Sequence, residues 1–405
     1  MQAGWRIGSI FGIPIYIDSS WLVIITLMTV ANGFEFATRF ANQLPEVLAF
    51  SAGLAMALLL FASVLLHELG HSLAARSQGI QVNSITLFIF GGIAAIDRES
   101  KTPEEAFQVA IAGPAVSFML FVLLAVVGKI LPDLSFLSLL KLLVLDLSRI
   151  NLVLGLFNLI PGLPLDGGQV LKAAVWKLTG DRFAGVHWAA KTGKALGMTA
   201  IALGLFLVFL ADDFSGLWIA LIGWFAFKNA TAYDRFTDLQ EALLNIHAED
   251  AMTRAFRVVN ADMTLRSFAD EYILSDDRLP IYFAASHGRY RGLVQPNDLR
   301  MISRSDWENQ TVNSIVHPLP ELISVTERSS LVEVIKVMEA NNLPWITVLS
   351  PAGAVSGTID RGDIVAALGK KLNIPISSAE IKRIKEEGKY PPGFQLGAIA
   401  DSTQE

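Results

Sequence analysis

The sequence predicts an all-α polytopic membrane domain of about six transmembrane helices with small β elements, followed by an α/β region built from a repeat. Three observations predict it. Of 405 residues, 52% are hydrophobic and 17% charged, where an ordinary soluble protein has roughly a quarter charged. Apolar runs of membrane-spanning length recur from Ser19 to Phe227, and charge density returns to normal from Asp234 onward. In that second region a pattern of about 65 residues occurs twice. The composition also excludes whole classes of chemistry. With no cysteine there are no disulfides, thiolate zinc sites or cysteine nucleophiles, so any metal sits on His, Asp or Glu. A net charge of −6 without a basic stripe excludes nucleic acid as a partner.

The six spans read Ser20–Phe34, Val47–Ala75, Ala106–Gly128, Leu147–Ile160, Leu196–Ala211 and Leu217–Phe227. Phe136–Leu145 is apolar too, but Lys141 and Asp146 interrupt it, which reads as an interfacial turn before the fourth span. Met1–Asp18 lacks a signal-peptide pattern, so insertion would use the first span. Six crossings put both termini on one side. If that side is cytoplasmic, Arg6, Arg76, Arg98, Lys101, Lys172, Lys177 and other cations fall inside, with Arg39, Lys129 and Lys141 outside. Two segments read as strands: Ile10–Ile17, and Ile85–Ala95 broken by Gly91-Gly92. At membrane depth such strands need protected backbone, so they form a small sheet against the helices or lie at the surface.

Chemistry concentrates in two motifs. His67-Glu68-Leu69-Gly70-His71 closes the second span, and four residues of helix turn both imidazoles to one face where they can share a tetrahedral Zn²⁺. Glu68 lies beside the metal, placed as general base. The alternative, a chance string on a salt-bridged helix face, must bury three ionisable groups in an apolar helix at about 2.5–3.5 kcal/mol each. A third ligand is needed, and Asp166 offers one. It stands in Asn158-Leu159-Ile160-Pro161-Gly162-Leu163-Pro164-Leu165-Asp166-Gly167-Gly168, where Pro and Gly break the helix at membrane depth. The competing reading makes Asp166 the N-cap of a helix over Gly167–Leu178. Gly113 and Ala110 in the third span, and Gly193 with Gly197 in the fifth, read as close helix packing. His187 reads as a solvated residue in a basic loop.

Together with Ala112-Gly113-Pro114-Ala115-Val116-Ser117, these motifs resemble the site-2 proteases, the intramembrane zinc metalloproteases of peptidase family M50, through most of residues 1–230. The resemblance implies one Zn²⁺ per chain on His67, His71 and Asp166, Glu68 as general base, and Asn158 at the oxyanion or substrate. It also implies a multi-pass protein of a bacterial plasma membrane or plastid-type membrane, acting on membrane-embedded proteins with a transmembrane helix (regulated intramembrane proteolysis). Many relatives have Asn where Ser117 stands. An unwound substrate would add as a strand to an open edge at Ile85–Phe90.

In the second region each copy runs from a lead-in segment (Ala251-Met252-Thr253; Ile315-Val316-His317) to a helix (Leu265–Ile273; Leu331–Ala340), a strand (Ile281–Ala285; Trp345–Leu349), a turn, a strand, and a helix opened by an Asp. Leu279-Pro280-Ile281 answers Leu343-Pro344-Trp345, and Gly292…Asp298-Leu299 answers Gly357…Asp363-Ile364. This resembles a tandem cystathionine-β-synthase (CBS) domain pair. The domains are then 1–235, the pair at 248–369 (248–305 and 311–369), and a tail at 370–405 with an amphipathic stretch at Ser378–Glu387. The pair implies adenine-nucleotide sensing through Asp298 and Asp363. Gln295 and Asp360 replace the Thr or Ser usual three residues earlier, and a second carboxylate repels phosphate. Homodimerisation or substrate filtering is the other role. The rival reading of the whole chain is a CBS-regulated ion channel or transporter, since intramembrane His, Glu and Asp also line ion paths.

Overall fold

A computed structural model describes residues 4–40, 45–89, 91–132, 134, 137–274, 281–391 and 396–403. The chain divides into two compact units, Met1–Thr237 and Asp238–Glu405. In the first, β1 (Trp5–Ile10) and β2 (Ile13–Ile17) form a hairpin, followed by α1 (Ser19–Arg39), α2 (Glu46–Ser77), β3 (Val82–Phe88), β4 (Gly91–Ile96), α3 (Pro103–Ile130), α4 (Ser138–Asn158), α5 (Asp166–Thr179), α6 (Arg182–Leu210) and α7 (Gly216–Asn245). Four of these helices, α1, α2, α3 and α6, are long and apolar enough to cross a membrane. The sequence reading expected about six.

Two spans begin earlier than their apolar cores. α4 is continuous from Ser138, so the stretch before Leu145 is helix and no interfacial turn; Phe136 lies outside the described residues. Asp146, one of the two charges that read as an interruption, is paired with Arg149 at 2.9 Å and with Arg39 of α1 at 3.6 Å, which lets the helix run through it. α6 starts at Arg182 behind the N-cap Asp181, whose side chain accepts from the Phe183 N–H, so the basic stretch around His187 is helical.

The strands form one sheet in the order β1-β2-β3-β4, with β1/β2 and β3/β4 antiparallel and β2/β3 parallel. Ile10–Ile17 is therefore two strands, turned by Phe11 and Gly12 at φ +50° and +79°, the double left-handed turn that suits a hairpin's twist. Ile13, Ile85 and Leu69 are buried together, so the sheet packs against α2. β3 is central, paired on both sides, and has no open edge. The open edge beside it belongs to β4, which corrects the expectation for Ile85–Phe90; Phe90 lies outside the described residues.

The second unit contains α8 (Ala248–Ala251), β5 (Arg257–Asn260), α9 (Leu265–Phe268), β6 (Tyr282–Ser286), β7 (Arg289–Val294), β8 (Val316–Pro318), β9 (Ser324–Thr326), α10 (Leu331–Ala340), β10 (Trp345–Leu349), β11 (Val355–Asp360), α11 (Arg361–Lys371), α12 (Ser378–Glu387) and α13 (Leu396–Ser402). Its two sheets run β5-β6-β7-β8 and β11-β10-β9. The lead-in segments are exchanged: Thr253 bridges Thr358 of the second sheet, and β8 pairs with β7 of the first. The copies also differ. α10 and β10 have the predicted bounds, whereas Leu265–Ile273 is one short α-turn followed by a π-helical turn. Asp298 sits in a 3₁₀ segment, Pro296–Met301, in place of the expected helix. Leu279 and Pro280 lie outside the described residues.

Candidate metal centre

The long apolar α2 fixes the first two groups. His67 and His71 are buried on one face, their ring centroids 5.0 Å apart. The third group arrives through the break predicted from Pro161, Gly162 and Pro164. α4 ends at Asn158, α5 begins at Asp166, and the connecting residues press against α6, where the Leu163 N–H donates to the Ala189 carbonyl at 3.2 Å. Gly193 permits that approach, since a Cβ there would lie 2.1 Å from the Leu163 oxygen. Small residues in the fifth span thus hold the break in place.

Asp166 Oδ2 lies 3.0 Å from His67 Nε2 and 3.3 Å from His71 Nε2, and the two Nε2 atoms are 3.3 Å apart. Ligands at about 2.0–2.1 Å around a tetrahedral ion are separated by about 3.3 Å, so this donor set fits Zn²⁺. Among the described residues these three are the group of His, Asp and Glu with ligand atoms close enough to share an ion. The outer nitrogens support the same reading. The His71 Nδ1–H donates to the Val109 carbonyl at 2.7 Å, leaving the neutral ring's Nε2 lone pair aimed into the cluster. His67 Nδ1 is 2.9 Å from the Ser117 hydroxyl. The N-cap alternative for Asp166 falls, because Leu165 precedes the helix and no side chain caps it. Asn158 Nδ2 sits 3.4 Å from His67 Nε2. Glu68 lies against β4, where a Cβ on Gly92 would come within 2.5 Å of its Cγ.

Two contributors were not singled out from sequence for this site. Ser117 is fully buried and orients His67; Gly113 makes room, because a Cβ there would stand 2.2 Å from His71 Nε2. Their i, i+4 spacing on one helix was the available signal. His187 is not a solvated loop residue: from α6 it contacts Asp234 at 2.7 Å, and Lys194 pairs with the same carboxylate. In the second unit Asp363 Oδ1 accepts from Lys385 Nζ at 2.5 Å and Asp363 Oδ2 from the Thr253 hydroxyl at 3.4 Å, while Asp298 Oδ2 is 2.7 Å from His317 Nε2.

With this geometry in hand, known proteins can be compared. The peptidase family M50 profile matches residues 55–146 and 129–207, and the CBS domain profile matches 312–370. A Synechocystis protein named as a zinc metalloprotease, sll0528, is 40% identical over 370 residues, covering 91% of this chain and 96% of its own. The chain belongs to peptidase family M50. Rip3 of Mycobacterium tuberculosis, also named as a zinc metalloprotease, is 31% identical and covers 90% of this chain and 92% of its own. A solved site-2 protease from Methanocaldococcus jannaschii is 29% identical, covers 57% of this chain and 95% of its own, and has a TM-score of 0.42. This M50 chain is a membrane protein and a zinc metalloprotease of the site-2 type, which sets aside the channel or transporter reading.

Proposed function

We propose that His67 Nε2, His71 Nε2 and Asp166 bind one Zn²⁺ per chain, that Glu68 is its general base and acid, and that the protein cuts membrane-tethered proteins within or near a transmembrane segment. The convergence of the three ligand atoms, all within 4.8 Å of one another, carries this reading. When bound, the ion supplies Lewis-acid polarisation of a scissile carbonyl and a nucleophile at neutral pH. Glu68 takes the proton from the attacking water and hands it to the leaving amine nitrogen. The Asn158 amide, at the rim beside His67, donates to the oxygen on which charge develops.

A helical substrate must be unwound before its carbonyl can be reached. The free edge of β4 takes the unwound segment as an added strand, which brings it alongside Glu68. Residues 1–235 form the protease domain with cytoplasmic termini, 248–369 the CBS pair, and 370–405 the tail. Asp298 and Asp363 already hold His317 and Lys385, which favours filtering of substrates or homodimerisation over adenine-nucleotide sensing.

Cleavage of single-span reporters tests the assignment. Glu68→Gln is expected to keep one zinc per chain and lose about 10²–10⁴ in turnover, whereas His67→Ala loses both metal and turnover. Ala94→Pro in β4 should cut cleavage with zinc retained. Near wild-type turnover in Glu68→Gln contradicts the role of Glu68, and full activity of Ala94→Pro contradicts strand capture.

A further inference from the structure

Outside the metal cluster, one lysine is buried among the described residues of the first unit. Lys172 lies in α5, six residues beyond Asp166 and so about 9 Å along the same helix. Its side chain is 8% exposed, and its ammonium is 2.8 Å from Glu99 Oε2. Glu99 follows the end of β4 by three residues, and Arg182, the first residue of α6, adds a second cation at 3.7 Å. The rest of that connection is held too. The Asp97 N–H donates to the Gln81 carbonyl at 2.9 Å, the Ser100 hydroxyl to Gln78 Oε1 at 3.0 Å, and the Gln78 amide to the Glu105 carbonyl at 2.9 Å.

We propose that the Lys172–Glu99 pair is a positioning clamp, which sets the free edge of β4 relative to Asp166 and so fixes where a captured substrate strand meets the metal centre. The proposal rests on the reading of that site given above. An ammonium buried in this way is a poor device for stability alone, since a methionine of similar length would fill the space without desolvating a charge. What the pair adds is one fixed point between the connection that follows β4 and α5. Besides its pairing with β3, β4 lies against Glu68 at Gly92, the connection three residues beyond it is tied to α5 at Glu99, and α5 begins with the third ligand. Neither clamp residue touches the reacting atoms, so its loss should displace the substrate and leave the chemistry intact.

The test uses full-length protein in proteoliposomes and a single-span reporter with a Gly-Pro pair in its span. Lys172→Met is expected to lower kcat/KM by about ten- to a hundredfold, mainly through KM, with one zinc per chain retained. Glu99→Gln, altered at the half-exposed partner, should act in the same direction. Lys172→Arg, which keeps the cation facing Glu99, should recover a large part of the loss. Wild-type KM in both Lys172→Met and Glu99→Gln overturns the clamp, as does a loss of activity that tracks loss of zinc or is not recovered by Lys172→Arg. Turnover by Glu68→Gln in the same assay would instead sink the reading of the site.

Discussion

Asp166 and Asp363 each stand in the first turn of a helix, and they meet opposite fates. Asp166 begins α5 after a break in apolar sequence, and its carboxylate faces two imidazole nitrogens. Asp363, in the first turn of α11, shares a reciprocal capping box with Asp360, and Lys385 of α12 reaches both carboxylates. The residue type and the local position are alike. The difference lies in the partners: Asp363 is held by backbone N–H, hydroxyl and ammonium donors of the chain itself, while around Asp166 a carboxylate and two imidazole nitrogens converge on one another, the donor set proposed above to hold zinc.

The sharpest way to break this comparison is to remove each carboxylate in turn. Asp166→Ala should abolish bound zinc and bring proteolysis to background, measured by metal analysis and reporter cleavage. Asp363→Ala should keep zinc and lower the stability of the second unit by about 1–3 kcal/mol, the scale of a lost buried charged hydrogen bond, read from its denaturant midpoint. Zinc retained without Asp166 would put both aspartates in the same structural class.

A smaller effect is expected at Ser117. Its hydroxyl holds His67 Nδ1 at 2.9 Å inside the bundle, and groups that orient a ligating imidazole typically govern 10–100-fold in metal affinity. Ser117→Ala should weaken zinc by about that factor in competition with a chelator. Unchanged affinity would mean that packing around Gly113 alone aims the ring.

Much of the site was legible because membrane depth makes polar residues and broken backbone expensive, so His67, Glu68, His71 and the 158–168 break stood out against their apolar setting. The parts that were not legible depend on pairing across distant sequence. No local pattern announces that β3 is central in its sheet and β4 is the edge, since that follows from the parallel pairing of β2 with β3. Asp146 read as an interruption because its partner Arg39 lies on another helix. The first copy of the repeat misled in the same way. Its predicted helix at Leu265–Ile273 has the right periodicity but settles into a short α-turn and a π turn, while Phe268 and Tyr282 stack edge to face in its core.

The mildest prediction concerns acid. Partial burial would raise the Glu99 carboxyl, but the Lys172 ammonium and, beyond it, Arg182 hold it below its ordinary value of 4.5; the phenol of Tyr233 is the other titratable group that feels this charge. A carboxylate depressed in the folded state contributes stability that is fully present above its unfolded pKa and is lost as pH falls through the lower folded value. The thermal midpoint of wild type should therefore exceed that of Glu99→Gln by an amount on the order of 2 °C, constant from neutral pH down to about 4.5, and the gap should close only below that. A gap that widens as pH falls from 6 to 5 would instead mean that the carboxyl is raised, with burial outweighing Lys172.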